Sequence, residues 1–192
     1  MNNPLFILQT LDRHLDHPVE LTLYGRAALA LGFSAHEPRH ETTQDVDAIV
    51  PLVQLDDLRA DQQFWDARDA TNAALAERGL YLTHLFTEAD VFLLPDWLNR
   101  RVPISAPFTH LRLLRPETID LVLTKMMRGT DPEDLSDIGF LLRIEPLTDA
   151  ELRAAFDRVR TPDIQELRDA FRAAQPAVLA LAKLQGHRPA AA

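Results

Sequence analysis

The stretch Thr42-Thr43-Gln44-Asp45-Val46-Asp47-Ala48-Ile49-Val50-Pro51 constrains this chain more than any other. An apolar, β-branched run closed by a proline predicts a short buried strand, and two carboxylates stand at its start. Side chains two positions apart on a strand share a face, so Asp45 and Asp47 would project side by side. Neighbouring carboxylates repel each other unless a proton or a cation lies between them. Hard divalent cations such as Mg²⁺ take one or two carboxylates together with phosphate oxygens, so metal-assisted phosphoryl or nucleotidyl transfer is one expectation. A pair of acids on a solvated strand end is the other, and the spacing taken alone favours it.

The flanking sequence sets the context of that strand. Asn3 as N-cap and Pro4 as first helical residue open an apolar stripe of Leu5, Ile7, Leu8, Leu11 and Leu15, which predicts a helix to about His14. Glu20 to Tyr24 reads as a strand, Gly25 as a tight turn and Arg26 to Leu31 as a helix, an arrangement that offers backbone N–H groups to a phosphate. Residues 32–44 read as a polar loop. Beyond the acids, one long helix is expected from Asp56 to Arg78 with Gly79 as its stop, then strands at Tyr81 to Phe86, Asp90 to Leu94 and His110 to Leu114, with 95–107 irregular.

After residue 115 the pattern turns helical. Glu117 to Arg128 carries an apolar face and ends at Gly129, and Asp131 with Pro132 caps the next helix. Thr148 with Glu151 forms a capping box for a helix to about Arg160, and Thr161 with Pro162 starts the last helix, to about Leu184. Strands before residue 115 and helices after it predict an α+β core over 1–115, a helical part over 116–186 packed on it, and a frayed tail over 187–192.

Composition narrows the chemistry. The chain of 192 residues has no cysteine, which excludes disulfides, thiolate metal sites and a cysteine nucleophile. No apolar run approaches the length of a membrane span and no signal-peptide pattern opens the chain, so a cytoplasmic protein without membrane contact is expected. A net charge of −9 argues against a general nucleic-acid coat. Within it, Arg100, Arg101, Arg112, Arg115, Lys125 and Arg128 face only Glu117 and Asp120. These cations fit either one basic patch for a phosphate-bearing ligand or ordinary solvated charges on different faces.

A second group of charges bears on the first. Lys125 and Arg128 lie three apart on one predicted helix, and Asp134 and Asp137 lie three apart on the next. Packed as a hairpin, the two helices would set a cation beside a carboxylate, with Lys125 holding a triphosphate and Asp134 orienting it or accepting a proton. Each residue also suits a plain role, the acid near a helix start and the cations near a helix end. His84 in the YLTHLF strand could face the same cleft, and Trp65 and Trp97 could stack on a base, although packing is the commoner use of such residues.

Taken together, the strand–Gly25–helix unit and Asp45-x-Asp47 are similar to the signature of the minimal nucleotidyltransferases of the DNA polymerase β superfamily. Leu-Val-Leu-Thr-Lys125-x-x-Arg128 with Asp134-Leu-Ser-Asp137-Ile resembles the helical part of the nucleotidyltransferase-like toxins of bacterial toxin-antitoxin systems and of related uncharacterised proteins. The resemblance spans roughly Leu21 to Leu142. It implies a small mixed β-sheet nucleotidyltransferase-like core followed by helices. It also implies Mg²⁺- or Mn²⁺-dependent transfer of a nucleoside monophosphate from a nucleoside triphosphate to an RNA (tRNA) or protein acceptor, and an antitoxin protein as partner. Carried over, Asp45 and Asp47 would ligate the metal with Asp90 as candidate third ligand. Gly25, Arg26, Thr43 and Arg128 would bind nucleotide, and Lys125 and Asp134 would complete the catalytic set. Arg26 stands where relatives carry a small residue, and no third strand carboxylate is firmly placed, so a fold retained for binding or interaction without catalysis is the alternative.

Overall fold

The computed structural model describes residues 2–186; the tail expected to fray over 187–192 lies outside them. The architecture is α+β. The chain divides into two compact units, one made of the chain up to Glu88 with Arg100–Pro116, the other of Ala89–Asn99 with the chain from Glu117 onward.

The first unit opens with α1 (Asn3–His14), capped one residue earlier than expected: Asn2 Oδ1 accepts the Leu5 N–H at 3.0 Å, and Pro4 falls in the first turn, where no N–H is missed. It continues through β1 (Val19–Tyr24), α2 (Gly25–Leu31), a short α3 (Pro38–Glu41) inside the stretch expected as loop, and β2 (Asp45–Val50). The long helix expected from Asp56 to Arg78 is interrupted. It forms as α4 (Leu55–Ala60) and α5 (Gln62–Leu75), because Asp61 leaves the helical conformation and its Oδ1 takes the Phe64 N–H at 3.0 Å. An aspartate competes with helix continuation through such side-chain to backbone bonds, and a cap is where that competition stabilises.

β3 (Tyr81–Thr87), β4 (Val102–Ile104) and β5 (Leu111–Arg115) complete a five-stranded sheet of order β3-β2-β1-β5-β4. The sheet is mixed: β1 pairs antiparallel with β2 and parallel with β5, β3 runs parallel to β2, and β4 antiparallel to β5. β4 lies in the stretch expected to be irregular, and its Pro103 is tolerated because β4 is an edge strand. β3, the other edge, is partly covered. The Asn72 side chain on α5 accepts the Leu82 N–H at 2.8 Å and donates to the Leu82 carbonyl at 3.0 Å, as a neighbouring strand would.

The core of this unit includes Ile7, Leu8, Leu11, Leu23, Val46, Ala48, Phe64 and Leu82. Asp12 ties α1 to the entry of β5, its carboxylate accepting the N–H groups of Thr109, His110 and Leu111, each at 2.8 Å. Along β2 the pattern alternates as a strand requires, with Val46 and Ala48 buried and Asp45 and Asp47 half-buried.

The second unit is helical: α6 (Thr118–Lys125) running into a 3₁₀ turn Met126–Arg128, α7 (Pro132–Ile144), α8 (Asp149–Arg158) and α9 (Gln165–Gly186). The Asp131 cap and the Thr148–Glu151 capping box both form as expected, whereas α9 starts three residues beyond Pro162. The strand expected over Asp90–Leu94 does not form. Val91 to Leu94 are buried, Leu94 N–H donates to Asp120 Oδ1 at 2.7 Å, and Leu93 makes a single bridge to Arg160. A short apolar run specifies burial without specifying a strand partner, and here the burial is among helices. Among the described residues no helix is long and apolar enough to cross a membrane.

Candidate functional site

Asp45 opens β2, and the Thr43 hydroxyl just before it donates to Asp45 Oδ1 at 2.7 Å. Asp47 pairs across the sheet with Tyr24, the last residue of β1. Beyond Tyr24 the chain turns at Gly25 into α2, with φ of +62°. A side chain rarely adopts that conformation, and a Cβ built on Gly25 would lie 3.7 Å from Asp47 Oδ2, so the carboxylate faces this turn. On its other side the Thr83 hydroxyl of β3 donates to Asp47 Oδ1 at 3.2 Å. The strand–glycine–helix unit and the paired acids are therefore one place in the fold. Arg26, the second residue of α2, is half-buried there.

The described donors at this place are oxygens, two carboxylates with hydroxyls behind them, which suits Mg²⁺ or Mn²⁺. Among the described residues no group of three or more His, Asp or Glu side chains is arranged to hold a metal ion. A cation on two carboxylates would need phosphate or water oxygens to complete its coordination. Asp90, the candidate third ligand, is exposed in the bend after β3 and belongs to the second unit.

The second predicted group assembles within the helical unit. Lys125 ends α6, and its ammonium lies 3.1 Å from Asp134 Oδ1 and 2.7 Å from Asp137 Oδ2. Arg128 Nε donates to Asp134 Oδ2 at 2.6 Å and its Nη2 lies 3.4 Å from Asp131. The hairpin expected from the sequence forms because Gly129 ends one helix and the Asp131 side chain caps the next, accepting the N–H groups of Glu133 and Asp134 at 3.0 Å. Lys125, Asp134 and Asp137 are 9%, 3% and 0% exposed, whereas the Arg128 side chain is 59% exposed. The ammonium assigned from sequence to a triphosphate is thus held between two carboxylates. The hydrogen bond that Arg128 donates to Asp134 raises the Arg128 pKa above its usual value, and the Asp134 N–H lowers that of Asp131.

The expected basic patch is divided among separate tasks. Arg101 bonds Glu20 at 2.7 Å, and Arg115 is buried, donating to the Gly32 carbonyl and stacking on Phe33 at 4.0 Å. Trp97 is a core residue, and Trp65 donates to the Leu58 carbonyl beneath the Arg68 guanidinium. The reading that turned His84 to the cleft falls on a side chain outside the described ones. Sequence reasoning misses Thr83, because in YLTHLF a threonine reads as an ordinary β-former.

Residues 7–144 match the family described as "Nucleotidyltransferase of unknown function (DUF6036)". The chain belongs to that family. The match ends at Ile144, the last residue of α7, so the family region holds both the Asp45–Asp47 strand and the Lys125–Asp137 hairpin, while α8 and α9 follow it. No curated protein and no solved structure matches the chain.

Proposed function

We propose that this member of the nucleotidyltransferase family transfers a nucleoside monophosphate from a nucleoside triphosphate to a hydroxyl of an RNA or protein acceptor. The observation that carries this reading is the placement of Asp45 and Asp47 on β2 beside the Gly25 turn, each with one oxygen fixed by a threonine hydroxyl. In the transfer the acceptor oxygen bonds to the α-phosphorus, the bond from that phosphorus to the bridging oxygen breaks, and pyrophosphate leaves while the hydroxyl proton passes to solvent or a carboxylate. A Mg²⁺ ion held by Asp45 and Asp47 would supply charge neutralisation at the phosphates. The residues themselves fix two carboxylates in orientation, and Gly25 leaves room for a phosphate against the backbone. In the helical unit Arg128 offers a solvent-reaching cation, and Lys125 keeps Asp134 and Asp137 in place. A role within a toxin-antitoxin pair is part of this proposal, with an antitoxin protein as partner.

Nucleotide binding without transfer is the second reading, favoured by the engagement of Lys125 with two carboxylates rather than with solvent. The deciding experiment incubates the protein with Mg²⁺ or Mn²⁺, each α-labelled nucleoside triphosphate and total bacterial RNA, beside Asp45→Asn and Asp47→Asn. Label on RNA or protein that both variants lose supports transfer. Nucleotide affinity without label supports the second reading, and neither affinity nor label refutes both.

A further inference from the structure

We infer that Thr83 is the positioning residue for Asp47, setting the plane of its carboxylate toward the cation and phosphates; this rests on the proposed transfer site. Three features of the structure carry it. The hydroxyl donates to Asp47 Oδ1 at 3.2 Å from the neighbouring strand. The β2–β3 register shifts at this point: Val46 pairs with Leu82 and Ala48 with Leu85, so Asp47 alone stands opposite both Thr83 and His84. On the far side Asp47 Oδ2 faces the side-chain-free Gly25, 3.7 Å from where a Cβ would lie.

A bulge disrupts ladder pairing and serves to re-aim a side chain, and bulges concentrate beside active sites. The torsion that turns an aspartate carboxylate is broad, so its rotamer does not fix the direction of the oxygens. A hydrogen bond to one oxygen does. Threonine suits this work because its branched Cβ stiffens the torsion that aims the hydroxyl. A hydroxyl is also a neutral donor, so the bond from Thr83 orients Asp47 without itself adding a positive charge, whereas Asp134 lies against Lys125 and Arg128. Thr43 makes the same kind of bond to Asp45, so a threonine hydroxyl meets Oδ1 of each β2 carboxylate.

The test is Mn²⁺ binding in the presence of a non-hydrolysable nucleoside triphosphate analogue, followed by the electron paramagnetic resonance of free Mn²⁺ and by calorimetry. Wild type, Thr83→Val, Thr83→Ser, Thr83→Ala and Asp47→Asn are compared, each with its unfolding midpoint. Asp47→Asn should abolish binding. Thr83→Val and Thr83→Ala should weaken it about tenfold, the lower end of what loss of a ligand-orienting partner costs, and Thr83→Ser should restore it to within about twofold. Rescue by serine separates the hydroxyl from the packing of the methyl group. If Asp47→Asn loses Mn²⁺ while Thr83→Val binds it as wild type does, Thr83 does not position Asp47 and the transfer site stands. If serine is no better than valine, or neither Val nor Ala variant folds, Thr83 is structural and the inference fails. If wild type binds no Mn²⁺, the transfer site fails and takes the inference with it.

Discussion

Replacing Lys125 by methionine isolates one interaction in the helical unit. The methionine keeps most of the volume of the lysine stem and removes the ammonium that stands 3.1 Å from Asp134 and 2.7 Å from Asp137. Asp134 retains the Arg128 guanidinium at 2.6 Å, and Asp137, wholly buried, loses its ammonium partner. Removing one partner of a buried pair costs about 3–5 kcal/mol, because the remaining charge stays out of water. In a chain of this length about 2–4 °C of melting temperature accompanies each kcal/mol, so a fall of roughly 6–20 °C is expected. Urea unfolding followed by far-ultraviolet circular dichroism measures it directly. The double variant Lys125→Met with Asp137→Leu removes both charges, leaves Asp134 with Arg128, and should recover most of the loss, since an apolar replacement of a whole buried pair is often neutral. A loss below about 1 kcal/mol for the single variant, or a double variant no more stable than the single, would refute this account of the network.

Asp12→Ala should cost about 3 kcal/mol in urea unfolding at pH 7, since three backbone N–H groups lose their acceptor. Burial alone would raise the Asp12 carboxyl, but the N–H groups of Thr109, His110 and Leu111 hold it below its usual value; its stability contribution is therefore complete above about pH 4 and fades as pH falls through the folded value, so the gap to the variant should narrow by pH 3. Asn72→Ala strips the partner from the outward N–H and C=O of Leu82 and should cost about 2 kcal/mol, with the Leu82 amide exchanging its hydrogen faster than its neighbours; an unchanged exchange rate refutes it. Gly25→Ala should cost about 1–2 kcal/mol, all of it backbone strain at φ of +62°, because the new methyl meets Asp47 Oδ2 only at ordinary contact distance; a loss well above that would point to a clash the geometry does not contain.

The parts of this fold legible in the sequence are those whose signal is local. Asp131-Pro132, Thr148 with Glu151, and the alternation from Asp45 to Val50 each bring their own hydrogen-bond partner or burial period, and each forms where expected. The misplaced parts depend on a distant partner. Asp61 reads as one more helical residue, but its Oδ2 meets His17, 44 residues away, at 2.8 Å while its Oδ1 caps the next helix, and Val91 to Leu94 read as a strand until they are buried among helices. The same division runs through the site. Asp45, Asp47 and Gly25 are recognisable from spacing, and Lys125 with Asp134 from helical periodicity. Thr83 is not, because its task exists only once a register shift on β3 sets it against Asp47.

The donor that holds each carboxylate decides which acids a divalent cation would meet. Asp134 and Asp137 are held by Lys125 and Arg128, cations set directly against these anions, and Lys125 and both carboxylates are buried. Asp45 and Asp47 each accept a threonine hydroxyl on Oδ1 and stay half-exposed. Orientation is supplied to both pairs, at the β2 pair by the hydroxyls of Thr43 and Thr83 and at the hairpin pair by cations. A Mg²⁺ ion carrying phosphates takes one or two carboxylates that water and phosphate can reach. The β2 pair meets that requirement, and the hairpin pair is built instead to keep the helical unit together with the Arg128 guanidinium at its surface.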